Sequence, residues 1–116
     1  MWRNGQNSKI KNMRVAIPAS DRTIDSLVDE RFGRCSFFCF YNTETKQVDF
    51  QENSLKDGSG GVGLQAAEFL ANNGVSKIYV LELGPEAKNV LDKLKIETRI
   101  IKNGQTVREI IELLNQ

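Results

Sequence analysis

Seven consecutive residues, Asp29-Glu30-Arg31-Phe32-Gly33-Arg34-Cys35, carry the densest chemistry in this chain. Arg31 and Arg34 supply fixed positive charge and forked donors suited to an oxyanion. Gly33 permits positive φ or close approach of the backbone to a ligand. Cys35 is a soft metal ligand when ionised, and the adjacent Arg34 is expected to favour its thiolate. Phe32 either anchors the segment in the core or flanks what the segment holds. These are groups for binding an anionic, metal-containing ligand. The chain has no histidine, so the commonest general base and the commonest metal ligand are both missing. Ser-His-Asp and Cys-His catalysis and His-ligated zinc are thereby excluded.

A second candidate is the glycine-rich run Gly58-Ser59-Gly60-Gly61-Val62-Gly63, which formally fits G-x-G-x-x-G, with Glu82 nineteen residues past Gly63. A dinucleotide fingerprint wants its first glycine at the turn that closes a strand. Here Phe50 lies eight residues upstream, with the polar stretch Gln51–Asp57 between. The Rossmann reading is set aside. A glycine-rich loop that opens a helix can still bind anions through free N–H groups, or it can be a flexible connection. Gly58, Gly60, Gly61 and Gly63 are therefore candidate ligand contacts. Gly84-Pro85 opens a further helix, whose dipole would add an anion-friendly end to the same side of a sheet. Asp21, Asp25, Asp29 and Glu30 alternate with Arg22, Arg31 and Arg34. They read as a solvated face rather than as the converging carboxylates of a two-metal nuclease.

Cys35 and Cys39 are spaced C-x3-C. On one strand they would share a face at about 13 Å, too far for a disulfide or for joint chelation. Cys39, between Phe38 and Phe40, is expected to be a small core residue.

The elements that must position these groups follow from periodicity. Met13–Pro18 is a strand that Pro18 ends or places on an edge. Residues 19–34 form a long polar loop, a kind usually functional or mobile. Cys35–Tyr41 and Gln47–Gln51 make a hairpin around Asn42–Thr45. Leu64–Asn73 is a helix, with Leu64, Ala67, Leu70 and Ala71 on its apolar side and Gly74 at C′. Lys77–Leu83 is a buried strand. Ala87, Val90, Leu91 and Leu94 stripe the next helix, and Ile96–Ile101 is the last strand. Thr106-Val107-Arg108-Glu109 is a capping box opening a helix whose Val107, Ile110, Ile111 and Leu114 face the core. The order β-β-β-α-β-α-β-α predicts a mixed five-stranded sheet with helices packed on its faces.

At 116 residues the chain supports one domain. Residues 1–12 show no periodicity and read as a disordered leader, or as an extension ahead of a natural start at Met13; Trp2 could fold back onto the body. The domain would then be 13–116. No stretch has the ~20 apolar residues of a membrane span, and no signal peptide is visible, so the cytoplasm is the default. Without Arg3, Lys9 and Lys11 the body holds 13 basic and 15 acidic residues, which is no footprint for nucleic acid.

Five stretches stand in order: Met13-Arg14-Val15-Ala16-Ile17-Pro18, Asp29 to Cys35, Gly61-Val62-Gly63-Leu64-Gln65-Ala66-Ala67, Gly84-Pro85-Glu86-Ala87 and Gly104-Gln105-Thr106-Val107. Together they resemble the dinitrogenase iron–molybdenum cofactor biosynthesis domain, over nearly the whole chain. The resemblance implies a ribonuclease-H-like α/β fold. It also implies a carrier or scaffold that holds the cofactor or its iron–sulfur precursors, with metallocofactor assembly or acceptor proteins as partners. Cluster-binding members often carry histidine just before Phe-Gly; here that position is Arg31, which would instead neutralise an anionic cluster. Cys35 matches a cysteine of many relatives and would be the iron ligand.

The expectation is a non-enzymatic binding module for an iron–sulfur or iron–molybdenum-type cluster, as monomer or homodimer. One alternative is a metal-free binder of a small phosphate or carboxylate. A nuclease is suggested by fold class alone, which does not carry function, and Met13–Ile17 and Cys35–Tyr41 contain no acid.

Overall fold

The run Val15-Ala16-Ile17-Pro18-Ala19 is apolar almost throughout, as a strand covered on both faces requires. In the computed structural model, which describes residues 13–58 and 61–115, it forms the middle strand β1 (Arg14–Ala19). The leader 1–12, Trp2 and Gly60 lie outside the described residues. After β1 come β2 (Phe37–Asn42), β3 (Val48–Glu52), α1 (Val62–Asn72), β4 (Lys77–Val80), α2 (Pro85–Lys93), β5 (Glu97–Ile100) and α3 (Val107–Leu114). This is the expected element order. The five strands make one mixed sheet in the order β3-β2-β1-β4-β5. β1, β2 and β3 are antiparallel, whereas β4 and β5 run parallel to β1.

Pro18 departs from expectation, since it is buried within the central strand instead of ending it or lying on an edge. β1 pairs with β4 at Val15–Lys77 and Ala16–Ile78. Pro18 lies past those pairs, where its missing N–H breaks no ladder bond to β4.

Strand alternation sends side chains to two cores. Ala16, Phe38, Phe40, Ile78 and Val80 pack with Ala66, Ala67 and Leu70 of α1 and Leu91 of α2. Val15, Ile17, Ala19, Cys39 and Tyr79 pack with Val107 and Ile110 of α3. Cys39 is fully buried, as expected of a core cysteine. Cys35 does not share its face: it precedes β2 and joins the α1–α2 core, while Cys39 joins the α3 core. Leu64 is 46% exposed rather than in the apolar stripe. α1 starts two residues earlier than its apolar spacing suggests, so Leu64 belongs to the first turn at the helix mouth.

The helix ends follow local chemistry. Gly74 has φ +76°, and the Val75 N–H donates to the Leu70 carbonyl at 3.1 Å, closing α1 as a C′ glycine does. Pro85 takes the first helical turn of α2. Thr106 and Glu109 form the reciprocal capping box of α3.

The long loop after β1 is tied down. The Asp29 N–H donates to the Pro18 carbonyl at 2.9 Å, and the Val28 N–H to the Gln105 carbonyl at 2.9 Å. The carbonyls of Ser26 and Ile24 accept from the Val107 and Arg108 N–H groups at 3.0 and 2.7 Å. Arg108 Nε also donates to Asp25 at 2.8 Å. The loop thus caps α3 and delivers Glu30–Arg34 to the carboxyl end of the sheet, where α/β proteins place ligands.

Candidate functional site

Three segments meet at that end and line a cavity of about 820 Å³: Glu30–Arg34, Gly61–Leu64 at the start of α1, and Glu82–Ala87 at the start of α2. Phe32 is the anchor of the first segment. It is 6% exposed and meets Phe38 edge-to-face, with centroids 6.2 Å apart. Gly33 is where that segment touches α1. A Cβ there would lie 3.0 Å from the Gly63 nitrogen and 3.1 Å from its Cα, so no larger residue fits without moving backbone.

The two arginines are placed differently. Arg31 Nε lies 3.3 Å from Asp29, with the arginine side chain 61% exposed and the carboxylate 6% exposed. Asp29 also accepts the Arg31 N–H at 2.9 Å. The hydrogen bond and charge of Asp29 raise the Arg31 pKa further, so Arg31 stays a cation. Asp29 is the exception to the solvated-face expectation for the loop acids, being nearly buried. Arg34 donates from Nη1 to the Lys56 carbonyl at 3.1 Å.

The helix ends supply the remaining donors. α1 and α2 are N-capped by Gly61 and Gly84, which carry no side-chain oxygen for the first-turn N–H groups. α3, by contrast, has its cap and the loop carbonyls. Two helix N-termini with glycine caps therefore face one cavity alongside two guanidiniums, which is a donor set for anions. Glu30, Glu82 and Glu86 share the lining. All three are exposed, where water and salt screen them.

Cys35 corrects an expectation. It is fully buried, and desolvation, then the Asp29 charge, push its thiol up to about 12. Arg34 does not promote the thiolate, because burial outweighs a guanidinium engaged with the Lys56 carbonyl. Cys35 is not among the residues lining the cavity, and no cluster of three metal-ligating side chains occurs among the described residues. As a metal ligand it does not fit in this conformation.

Of the candidate residues, the structure brings together Arg31, Phe32, Gly33, Arg34, Gly61 and Gly63. Gly58 stays outside the cavity, in a turn where its N–H donates to the Leu55 carbonyl at 2.9 Å. The sequence reading passed over Asn53, a 3% exposed residue whose amide reaches the Gly33 and Cys35 carbonyls. An Asx turn at a strand end was the available signal. Leu83 and Glu86 were missed as well; they follow from the Gly84-Pro85 helix start.

The family profile described as dinitrogenase iron-molybdenum cofactor matches residues 13–116. An uncharacterized protein of Methanocaldococcus jannaschii, MJ0580, is 33% identical over 108 residues, covering 90% of this chain and 87% of the relative. The apo form of the orange protein from Desulfovibrio gigas superposes with a TM-score of 0.82 at 30% identity, covering 87% of this chain and 85% of that one. A candidate NifB protein from Thermotoga superposes at 0.74 with 31% identity, covering 86% and 84%.

Proposed function

The chain belongs to the dinitrogenase iron–molybdenum cofactor family, and on that premise we propose that it is a non-enzymatic carrier in metallocofactor assembly. Its cargo would be an anionic iron–sulfur or iron–molybdenum-type cluster. The observation that carries the reading is the convergence of the Arg31–Arg34 segment and two glycine-capped helix N-termini on one cavity. The cargo would rest against Arg31, Arg34 and the N–H groups of α1 and α2, held by charge and hydrogen bonds. Ligation by Cys35, invited by the loop sequence, would first require the thiol to leave its buried site. Assembly or acceptor proteins of the same process are the natural partners for such a carrier. The strand order supports a ribonuclease-H-like assignment of the fold, which by itself brings no nuclease chemistry. Among the described residues no helix is long and apolar enough to cross a membrane, in keeping with a cytoplasmic setting.

The test is anaerobic reconstitution with ferrous iron, sulfide and molybdate, read by metal count and visible spectrum. Wild type is compared with Arg31→Ala/Arg34→Ala and with Cys35→Ala. A hydrogen bond to a charged group is worth about 1.5–3 kcal/mol, so the double arginine variant should bind at least about ten-fold more weakly. Cys35→Ala should load as wild type does. Loading lost in Cys35→Ala and kept in the arginine variant would return the cargo to thiolate ligation. No loading in folded wild type would sink the carrier reading.

A further inference from the structure

Asn53 follows β3 and is 3% exposed, yet every polar atom of its side chain is spoken for. Its Nδ2 donates to the Gly33 carbonyl at 3.0 Å and to the Cys35 carbonyl at 2.9 Å. Its Oδ1 accepts the Leu55 N–H at 3.1 Å. Its own N–H donates to the Ser36 carbonyl at 3.0 Å. A buried primary amide has two donors and one acceptor oxygen, and here both donors go to the segment Gly33–Cys35.

The consequence lies in peptide geometry. A trans peptide points its C=O and N–H in opposite directions. Because Asn53 draws the Gly33 carbonyl toward itself, the N–H of the same peptide, that of Arg34, is turned away from Asn53. No described residue accepts a hydrogen bond from the Arg34 N–H. Gly33 and Arg34 both line the cavity. Gly33 is also pressed against Gly63, so the orientation of this peptide is coupled to the mouth of α1.

We propose that Asn53 is the positioning residue of the site, fixing the Gly33–Arg34 peptide so that the Arg34 N–H is presented to an anion in the cavity. This rests on the anion-carrier reading and adds a residue that touches no cargo itself. Asn53 acts through the backbone of the loop it holds. The ligand class is an oxyanion or sulfido anion able to accept a backbone N–H together with a guanidinium.

The test is an NMR titration of ¹⁵N-labelled protein with molybdate, on wild type, Asn53→Ala, Asn53→Asp and a control, Ile110→Val, in the opposite core. In wild type the Arg34 amide resonance should move with molybdate. Two lost carbonyl bonds are worth roughly ten-fold in affinity, so half-saturation should rise about that much in the Asn53 variants. Ile110→Val, which lowers the melting point from the core opposite to that of Phe32 and Cys35, should titrate as wild type. Folded Asn53 variants with wild-type half-saturation would overturn the proposal, as would an Arg34 amide that stays still while Gly63 responds.

If no cavity amide of wild type responds, the carrier reading has failed separately, and iodoacetamide labelling judges Asn53. Cys35 should then label faster in Asn53→Ala as its segment loosens, even though the lost Asn53 contact to its Sγ, 3.8 Å, had favoured the thiolate, with Cys39 unchanged. Equal labelling would overturn the positioning role. If neither variant folds, hydrogen exchange of the Asn53 side-chain Nδ2 protons in wild type decides, since these protons make the bonds to the Gly33 and Cys35 carbonyls. Protection supports the role of Asn53, and exchange at the unprotected rate overturns it.

Discussion

A thiol and a glycine decide most at the scale of single residues. Burial pushes both Cys35 and Cys39 up to about 12, whereas an unfolded cysteine ionises at about 8.5. A raised folded pKa means the unfolded state sheds its protons first as pH rises. The stabilisation is therefore complete below about pH 8.5 and is lost toward pH 12, by up to about 1.4 kcal/mol per pH unit for each thiol. Urea denaturation between pH 7 and 11 should show this fall, and the double variant Cys35→Ala/Cys39→Ala should flatten it. Gly33→Ala is the sharpest test of the contact with α1. With a Cβ 3.0 Å from the Gly63 nitrogen, it should cost about 1–3 kcal/mol of stability and weaken cargo loading, both measurable on the same preparation.

Secondary-structure elements act here through their ends. α1 and α2 start on glycine and open into the cavity, while α3 starts on a capping box and is closed by the loop after β1. These three helices of the described residues thus divide into two that offer donors and one that spends them on structure. Thr106→Ala removes the cap of α3 and should lower stability by about 1 kcal/mol. Because the bond network from Ile24 and Ser26 ends on the same turn, loop amides near Val28 should lose exchange protection along with α3. Stability loss confined to α3 would show that the loop holds its place independently.

For the whole molecule, the chain's two halves are joined by the β1–β4 pairing, by both cores and by specific polar ties. Asn115 Oδ1 accepts the Tyr41 hydroxyl at 2.5 Å and Lys46 Nζ at 3.0 Å, linking the end of α3 to the β2–β3 hairpin. Ending the chain at Leu114 should cost roughly 1–2 kcal/mol, the worth of the lost bonds, read as a lower urea midpoint with unchanged cargo affinity. The cavity is at the other end of the sheet's logic, at its carboxyl edge. Its cations are exposed, Arg31 at 61%, so cargo affinity should fall as salt rises from about 0.05 to 0.5 M, as the Debye length shrinks. Affinity independent of salt would point away from charge as the holding force.

The amino-acid sequence by itself determined the element order, the α3 capping box, the C′ glycine at Gly74, Pro85 at a helix start and Cys39 as core, because each rests on local chemistry or period. Within the motif Asp29–Cys35, the residues Glu30–Arg34 line the cavity, and arginine and glycine are legible as residue types. Tertiary structure alone decided which of those groups can act. Cys35 reads as a ligand next to Arg34 in sequence, but burial in the α1–α2 core sets its protonation, and burial is a property of neighbours distant along the chain. Pro18 reads as a strand end, yet the pairing of β1 with β4 leaves room for it mid-sheet. Asn53 reads as one polar turn residue among several. Only the folded chain brings it, from 18 and 20 residues away, against the carbonyls of Cys35 and Gly33, because hydrogen-bond partners are chosen by proximity in space.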